Sequence, residues 1–273
     1  MTAHPRTLLL AILLACGVTS ARSAEPALDA VKKELVPTGT LRVAIAVAPA
    51  PSALYVIKDA TTGNFRGVSV DLGSALAKKL GVPVEFLPHL ASGEIQNEAA
   101  SGKWDVTFMP VDEERKKFVD FGNAYHLLQS TYLVAPGSKL MKVEDANAAG
   151  VRIGGVANTA TFRAAQQTAP KATFVTVPGV DAAVAGMKAG EIDCIALSRE
   201  SLTGLAAKIP GSRVLDGGFL NSSTAVAVPK GRPAALAYVS QFVEEAKASG
   251  LVRKAFDDAN LKTSQVAPAG MKP

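Results

Sequence analysis

The chain has 273 residues, of which 48% are hydrophobic and 19% charged, with a formal net charge of +5. This is enough apolar material for two modest domains with packed cores, and it excludes a disordered chain. Charges of both signs are interleaved and aromatics make up only 5%, so the sequence offers neither a basic tract nor a stacking surface for nucleic acid.

The first predicted element is a leader. Arg6 precedes the apolar run Leu8 to Ala15, and Thr19, Ser20, Ala21, Ser23 and Ala24 follow. This is the positive, apolar, small-residue order of a secretory signal, too short to span a bilayer. Residues 1–24 are therefore expected to be a signal peptide, cleaved after Ala21 or Ala24, giving a periplasmic protein. Leu13-Leu14-Ala15-Cys16 also resembles a bacterial lipoprotein box, so anchoring through Cys16 is the competing expectation. Loss of the two leader arginines leaves a net charge of +3. Cys194 then has no intramolecular partner. No disulfide framework and no metal-ligand spacing exist, and no cofactor is expected.

Residues 25–38 read as a short connector. Leu41 to Val47 is predicted as a first strand, Val70 to Leu80 as a helix stopped by Gly81, and Val84 to Leu87 as a second strand. Glu94 to Ser101 is a helix candidate, followed by a third strand over Asp105 to Met109. Thr131 to Ala135 is another strand, closed by Pro136-Gly137. The pattern then restarts, with strands at Val151–Gly155, Phe174–Val177 and Cys194–Leu197. Helices over Thr161–Thr168 and Val180–Ala189 lie between them. Thr224 to Val228 is a strand closed by Pro229, and helices over Pro233–Ser249 and Leu251–Asn260 finish the chain. Such alternation implies right-handed crossovers and mainly parallel sheets.

One phrase occurs twice. Ser101-Gly102-Lys103-Trp104-Asp105-Val106 and Ala189-Gly190-Glu191-Ile192-Asp193-Cys194 both run from a helix through Gly and a charge into apolar residue, Asp and strand. Two copies of one αβ corner imply two α/β lobes with a ligand-sized cleft between them. The fold class expected is α/β, two-lobed, each lobe a mainly parallel sheet flanked by helices. The segments ending in proline, Leu133 to Pro136 and Ala225 to Pro229, are expected to form a two-strand hinge. Lobe 1 is then discontinuous, residues 25–135 plus 225–273, and lobe 2 is residues 136–224.

Gly67-Val68-Ser69-Val70-Asp71-Leu72 with Ala75 to Val82, the Ser101–Asp105 phrase, Glu114-Arg115 and Val119-Asp120-Phe121 together resemble family 3 solute-binding proteins of bacterial ABC importers. The resemblance runs from about Gly39 to about Asn260. It implies a type II periplasmic-binding-protein-like fold and capture of a small carboxylate-bearing solute, an amino acid or related organic acid, by hinge closure. The implied partners are that ligand and an inner-membrane ABC permease, with the protein itself a monomer.

The family's site residues carry over unevenly. Its pattern after the third strand is Ser or Thr, any residue, Thr, two more, then an Arg that forks onto the ligand carboxylate. Here the stretch reads Pro110-Val111-Asp112-Glu113-Glu114-Arg115, so Arg115 stands at the anchor. Pro110 has lost the hydroxyl, and Phe108 is a candidate pocket wall. In the second lobe the family's ammonium-binding Asp is replaced by Ser198, followed by Arg199 and Glu200. Either Glu200 or Glu94 takes over the cation, or the ligand has no α-ammonium, or Arg199 adds a contact to a diacid. Ordinary α-amino acids are accordingly expected to bind poorly. Asn158 and Thr159 stand at a helix N-terminus suited to an anion. Gln129 lies near the first linker, Glu94 at a mouth position, and Tyr55 replaces an aromatic that the family often has near Ser92.

No nucleophile elbow, phosphate loop or paired-histidine spacing indicates an enzyme. A cyclohexadienyl dehydratase-like enzyme on the same scaffold, using Glu94 or Glu200 as general acid, and a ligand-sensing receptor subunit are the alternatives.

Overall fold

The computed structural model describes Met1 and residues 28–48 and 50–273. The expected leader, its cleavage points, Cys16 and Pro49 lie outside the described residues. Among the described residues, no helix is long and apolar enough to cross a membrane.

The chain opens with α1 (Leu28–Leu35), where a connector was expected. Its Val31 and Leu35 are fully buried. Then come β1 (Leu41–Val47), β2 (Tyr55–Lys58), β3 (Phe65–Arg66), α2 (Val68–Leu80), β4 (Val84–His89) and α3 (Ser92–Asn97). α2 buries Val68, Leu72, Leu76 and Leu80 along one face and ends at Gly81, whose φ of 68° closes the last turn with bonds to Ala77 and Lys78. β5 (Val106–Pro110) is followed by a 3-10 turn, Arg115–Lys117, and by β6 (Val119–Val134). The second half contains β7 (Arg152–Val156), α4 (Ala160–Thr168), β8 (Thr173–Val177), α5 (Val180–Lys188), β9 (Cys194–Ser198) and α6 (Arg199–Ala206). β10 (Arg213–Val214), β11 (Leu220–Pro229), α7 (Pro233–Ala248), α8 (Leu251–Asp258) and β12 (Gln265–Val266) complete the chain.

β1 pairs in parallel with β2, β4 and β5, while β9 pairs in parallel with β7, which pairs in parallel with β8. β6 and β11 run antiparallel between these two sets. β11 also pairs with β5, and the last third of β6, Ser130–Val134, pairs with β9. This register corrects the expected hinge. Leu133 bonds within the second lobe, opposite Ile195, and Ala225 within the first, opposite Met109. The strands therefore cross earlier, where Leu220–Ser223 lies against Leu127–Ser130. β6 is also far longer than the strand expected at 131–135, because Asn123, His126 and Gln129 break up its apolar pattern.

The first lobe packs β1, β5 and β11 under α1, α2, α7 and α8 around Leu41, Leu72, Val226, Val239 and Phe256. The second has its own cluster around Tyr132, Ile153, Cys194 and Leu215. A third cluster is continuous across both, from Ile95, Trp104 and Met109 to Val180, Leu197 and Leu202.

The repeated phrase folds twice in the same way. Gly102 and Gly190 take φ of 70° and 73° at the two helix ends. Asp105 then accepts from Arg42, at the backbone N (3.1 Å), Nε (2.9 Å) and Nη2 (2.7 Å). Asp193 accepts from the same three atoms of Arg152, at 2.8, 3.0 and 2.6 Å. In each lobe the carboxylate ties the start of its strand to the lobe's first strand.

Candidate functional site

The cleft between the lobes is lined from the first lobe by Ser52, Ala53, Leu54, Tyr55, Ser92 and Pro110, and from the second by Thr159, Thr161, Leu197, Ser198 and Glu200. Leu128 and Thr224, at the strand crossing, form its floor. Hydroxyl groups dominate the polar lining.

Arg115 is fully buried. Its backbone is fixed by the 3-10 turn, where its N–H donates to Asp112 Oδ1 at 2.8 Å. Nη1 donates to the Pro110 carbonyl at 2.9 Å and Nη2 to Ser92 Oγ at 2.7 Å, with a longer reach of 3.4 Å to the Asn158 carbonyl of the second lobe. Nε has no hydrogen-bond partner among the described residues. Burial lowers the pKa of the guanidinium to about 10, against the opposing pull of Asp112. It thus remains charged at neutral pH, and it makes no direct ion pair with a carboxylate among the described residues. Such a cation is incompletely compensated. Tyr55 lies within electrostatic reach of it, and burial pushes the phenol up to about 12.

The other end of the cleft carries Glu200, in the first turn of α6. Its Oε1 is 2.5 Å from His126 Nε2 and also accepts from Ser264 Oγ, and its Oε2 accepts from the Ala53 N–H at 3.3 Å. Burial pushes this carboxyl up, but the hydrogen bond and charge of His126, with help from Ser264 and Ala53, outweigh burial and hold it below the usual range. Glu200 is therefore ionised at neutral pH.

Of the residues singled out from the sequence, Tyr55, Pro110, Thr159 and Ser198 line this cleft, and Arg115 stands behind Ser92. The others are placed elsewhere. Phe108 is core, edge-on to Tyr125 with ring centroids 5.7 Å apart. Glu94 turns back to accept from the Leu90 N–H at 2.8 Å. Gln129 and Arg199 line the neighbouring, larger groove beside Asn260 to Gln265, where Arg199 Nε donates to Gln129 Oε1 at 2.6 Å and its Nη2 to the Leu215 carbonyl at 3.0 Å. A guanidinium tied in this way is not free to meet a ligand in the cleft. Asn158 contributes its backbone carbonyl to Arg115 and takes a left-handed φ of 54°. Ser198 and Thr159 each cap a helix, accepting from the N–H of Ser201 and of Phe162 respectively. His126, Ser52, Thr161 and Thr224 went unmarked in the sequence because isolated hydroxyls and a lone histidine in an apolar strand carry no spacing signal. Glu200 was weighed as a substitute for the missing Asp and as a general acid, not as a partner of His126.

Comparison with known proteins gives one consistent result. The glutamine-binding protein of Geobacillus stearothermophilus is 29% identical over 177 residues, covering 61% of this chain and 64% of that protein. The chain thus spans just under two thirds of that relative's length. The ABC transporter glutamine-binding protein GlnH of Bacillus subtilis (strain 168) is 24% identical over 208 residues, covering 72% of this chain and 73% of the relative. The crystal structure of the ancestral amino acid-binding protein AncCDT-1, a precursor of cyclohexadienyl dehydratase, superposes with a TM-score of 0.72 at 30% identity. The match covers 82% of this chain and 97% of that one. The expected two-lobed binding-protein fold is the fold of this chain. The family described as bacterial extracellular solute-binding proteins, family 3, matches residues 41–258, and the chain belongs to it.

Proposed function

We propose that this protein is the solute-binding component of an ABC importer, acting outside the inner membrane as a monomer. It captures a small carboxylate-bearing solute, an amino acid or related organic acid, and presents it to a permease. The observation that carries this reading is Arg115: a wholly buried guanidinium between the lobes, whose Nε has no partner and which has no carboxylate in direct contact among the described residues. A planar fork of this kind suits a ligand carboxylate. The first lobe, closed by β11 and the C-terminal helices, supplies Arg115, Ser92 and Tyr55. The second, from about Ser130 to about Leu220, supplies Thr159, Thr161 and Ser198. A ligand touching both favours the closed form, in proportion to its extra contacts there.

The test is a thermal-shift screen of amino acids, keto acids and diacids, followed by calorimetry on the best binder. Arg115→Ala is expected to weaken that binder by about 2–5 kcal/mol; unchanged affinity would remove the anchor. The larger groove holds Arg199 away from the cleft, which argues against a diacid.

An enzymatic role is less well supported. A general acid needs a raised pKa, whereas His126 keeps Glu200 ionised, and Glu94 is bonded to its own loop. Turnover of prephenate or arogenate by the purified protein would overturn this view.

A further inference from the structure

Resting on the reading above for the place of the solute and for its carboxylate, we propose that the cleft selects monocarboxylates carrying an oxygen, and not an ammonium, on the adjoining carbon. The class is the 2-oxo and 2-hydroxy acids with an aliphatic side chain, and Ser198 is the residue that sets this choice.

The charges around the cleft leave one cation without a counter-charge. Asp112 is paired with Arg163, whose Nε donates to its Oδ2 at 2.9 Å. Glu200 meets His126 Nε2 at 2.5 Å and accepts from Ser264 and the Ala53 N–H as well. Glu94 is bonded to the Leu90 N–H, and Arg199 is tied to Gln129 beside the larger groove. Arg115 alone, fully buried, has no carboxylate in contact among the described residues. A solute with one net negative charge completes this arrangement. A zwitterion brings a second cation into a site whose carboxylates are already paired, and burying it there is costly.

Hydrogen-bond direction points the same way. Ser52 Oγ accepts from the N–H groups of both Leu54 and Tyr55, at 3.2 and 2.9 Å, so only its proton is left to offer. Ser92 Oγ accepts from Arg115 Nη2 at 2.7 Å and is likewise left to donate. Both hydroxyls are buried and line the cleft. The Tyr55 phenol, pushed up to about 12 by burial, keeps its proton at neutral pH and is a further donor. In the second lobe the hydroxyls are engaged locally. Ser198 Oγ donates to Ser201 Oγ at 2.9 Å, and Thr159 Oγ1 donates to the Val156 carbonyl at 2.9 Å. Donors of this kind suit a carboxylate and an adjoining oxygen, whereas an ammonium has three donors and no acceptor. Leu54, Pro110, Leu128 and Leu197 supply the apolar wall for the rest of the solute.

Calorimetry on matched series tests this. Pyruvate, 3-methyl-2-oxobutanoate and 4-methyl-2-oxopentanoate, with their 2-hydroxy counterparts, are compared with alanine, valine and leucine. At least one oxygen-bearing acid is expected to bind, about thirtyfold or more tighter than its amino counterpart. Ser198→Asp puts a carboxylate into the lining while keeping a side chain that caps α6 equally well. This variant is expected to reverse the order, strengthening the amino acid and weakening the oxo acid. Ser198→Asn, a cap without charge, is expected to keep the parent's order. An amino acid that binds the parent as tightly as its oxygen-bearing partner overturns the proposal and leaves carboxylate capture standing. So does a Ser198→Asp protein with the parent's order. Binding of neither series overturns it too, and a binder found elsewhere in the wider screen then keeps the capture reading without this one. The parent comparison needs no variant to fold.

Discussion

Asp105 and Asp193 do the same job at the same place in the two lobes, and their surroundings set different prices on losing them. Asp105 is wholly buried and carries Arg42 and, at 3.3 Å, Arg232 as well. Asp193 is about one-third exposed and holds Arg152 alone, where solvent screens the pair. Asp105→Ala leaves two largely buried guanidinium groups without their shared carboxylate and is expected to cost about 3 kcal/mol. Asp193→Ala is expected to cost about 1 kcal/mol or less. Urea unfolding of the two variants checks the contrast, and equal losses would contradict the burial argument. The sequence marked both aspartates through their repeated phrase. It did not mark Arg42 and Arg152, although each occupies the second position of the apolar run that opens its lobe. Arg115 shows the opposite balance. Composition alone places it among exposed charges, since Glu113, Glu114, Lys116 and Lys117 surround it. Only the 3-10 turn, which directs it inward past Ser92, separates it from them.

At the scale of elements, those with one apolar face and an end signal were legible. β1 and α2 lie within a residue or two of where periodicity and Gly81 placed them. α1 was not legible, because an eight-residue amphipathic segment has little helical stability of its own. It is held by docking on α7. Glu34 Oε2 accepts the Ala235 N–H at 2.9 Å, capping the first turn of α7, which opens on Pro233 and has no side-chain cap of its own. Arg232 adds a bond to the Glu34 carbonyl at 3.0 Å. Glu34→Ala is therefore expected to cost about 0.5–2 kcal/mol, the usual range for losing a helix N-terminal cap. Thermal unfolding at fixed pH checks it, and Glu34→Gln is expected to recover part of the loss. β6 was read at only its last third because it pairs along its length first with β11 and then with β9, in a single sheet that runs through both lobes. Asn123, His126 and Gln129 interrupt its apolar residues, so no single period runs along it.

For the molecule as a whole, the quantity that matters is how nearly the two lobes can approach. Gly93 has an ordinary backbone conformation, so Gly93→Ala strains nothing locally. Its new methyl would nonetheless meet the backbone oxygen of Ala157 in the other lobe, which cannot rotate away. This variant is expected to keep its unfolding midpoint, to hold the lobes apart in small-angle scattering, and to bind its solute at least about tenfold more weakly, since contacts to both lobes form only on closure. A compact Gly93→Ala with unimpaired binding would show that closure does not need this contact.

The chain by itself determined two α/β lobes, the succession of strands and helices in each, and Arg115 as the guanidinium proposed to anchor the solute. Hydrophobic period, helix-ending glycines and a repeated corner are local properties, and they survive in one dimension. The partners of Asp112 and Glu200, the placing of Arg199 outside the cleft and the true crossing point of the hinge were decided only by tertiary structure. Each depends on a contact between residues far apart in sequence, Asp112 with Arg163 and His126 with Glu200. No spacing along the chain encodes which groups the closing of two lobes will bring face to face.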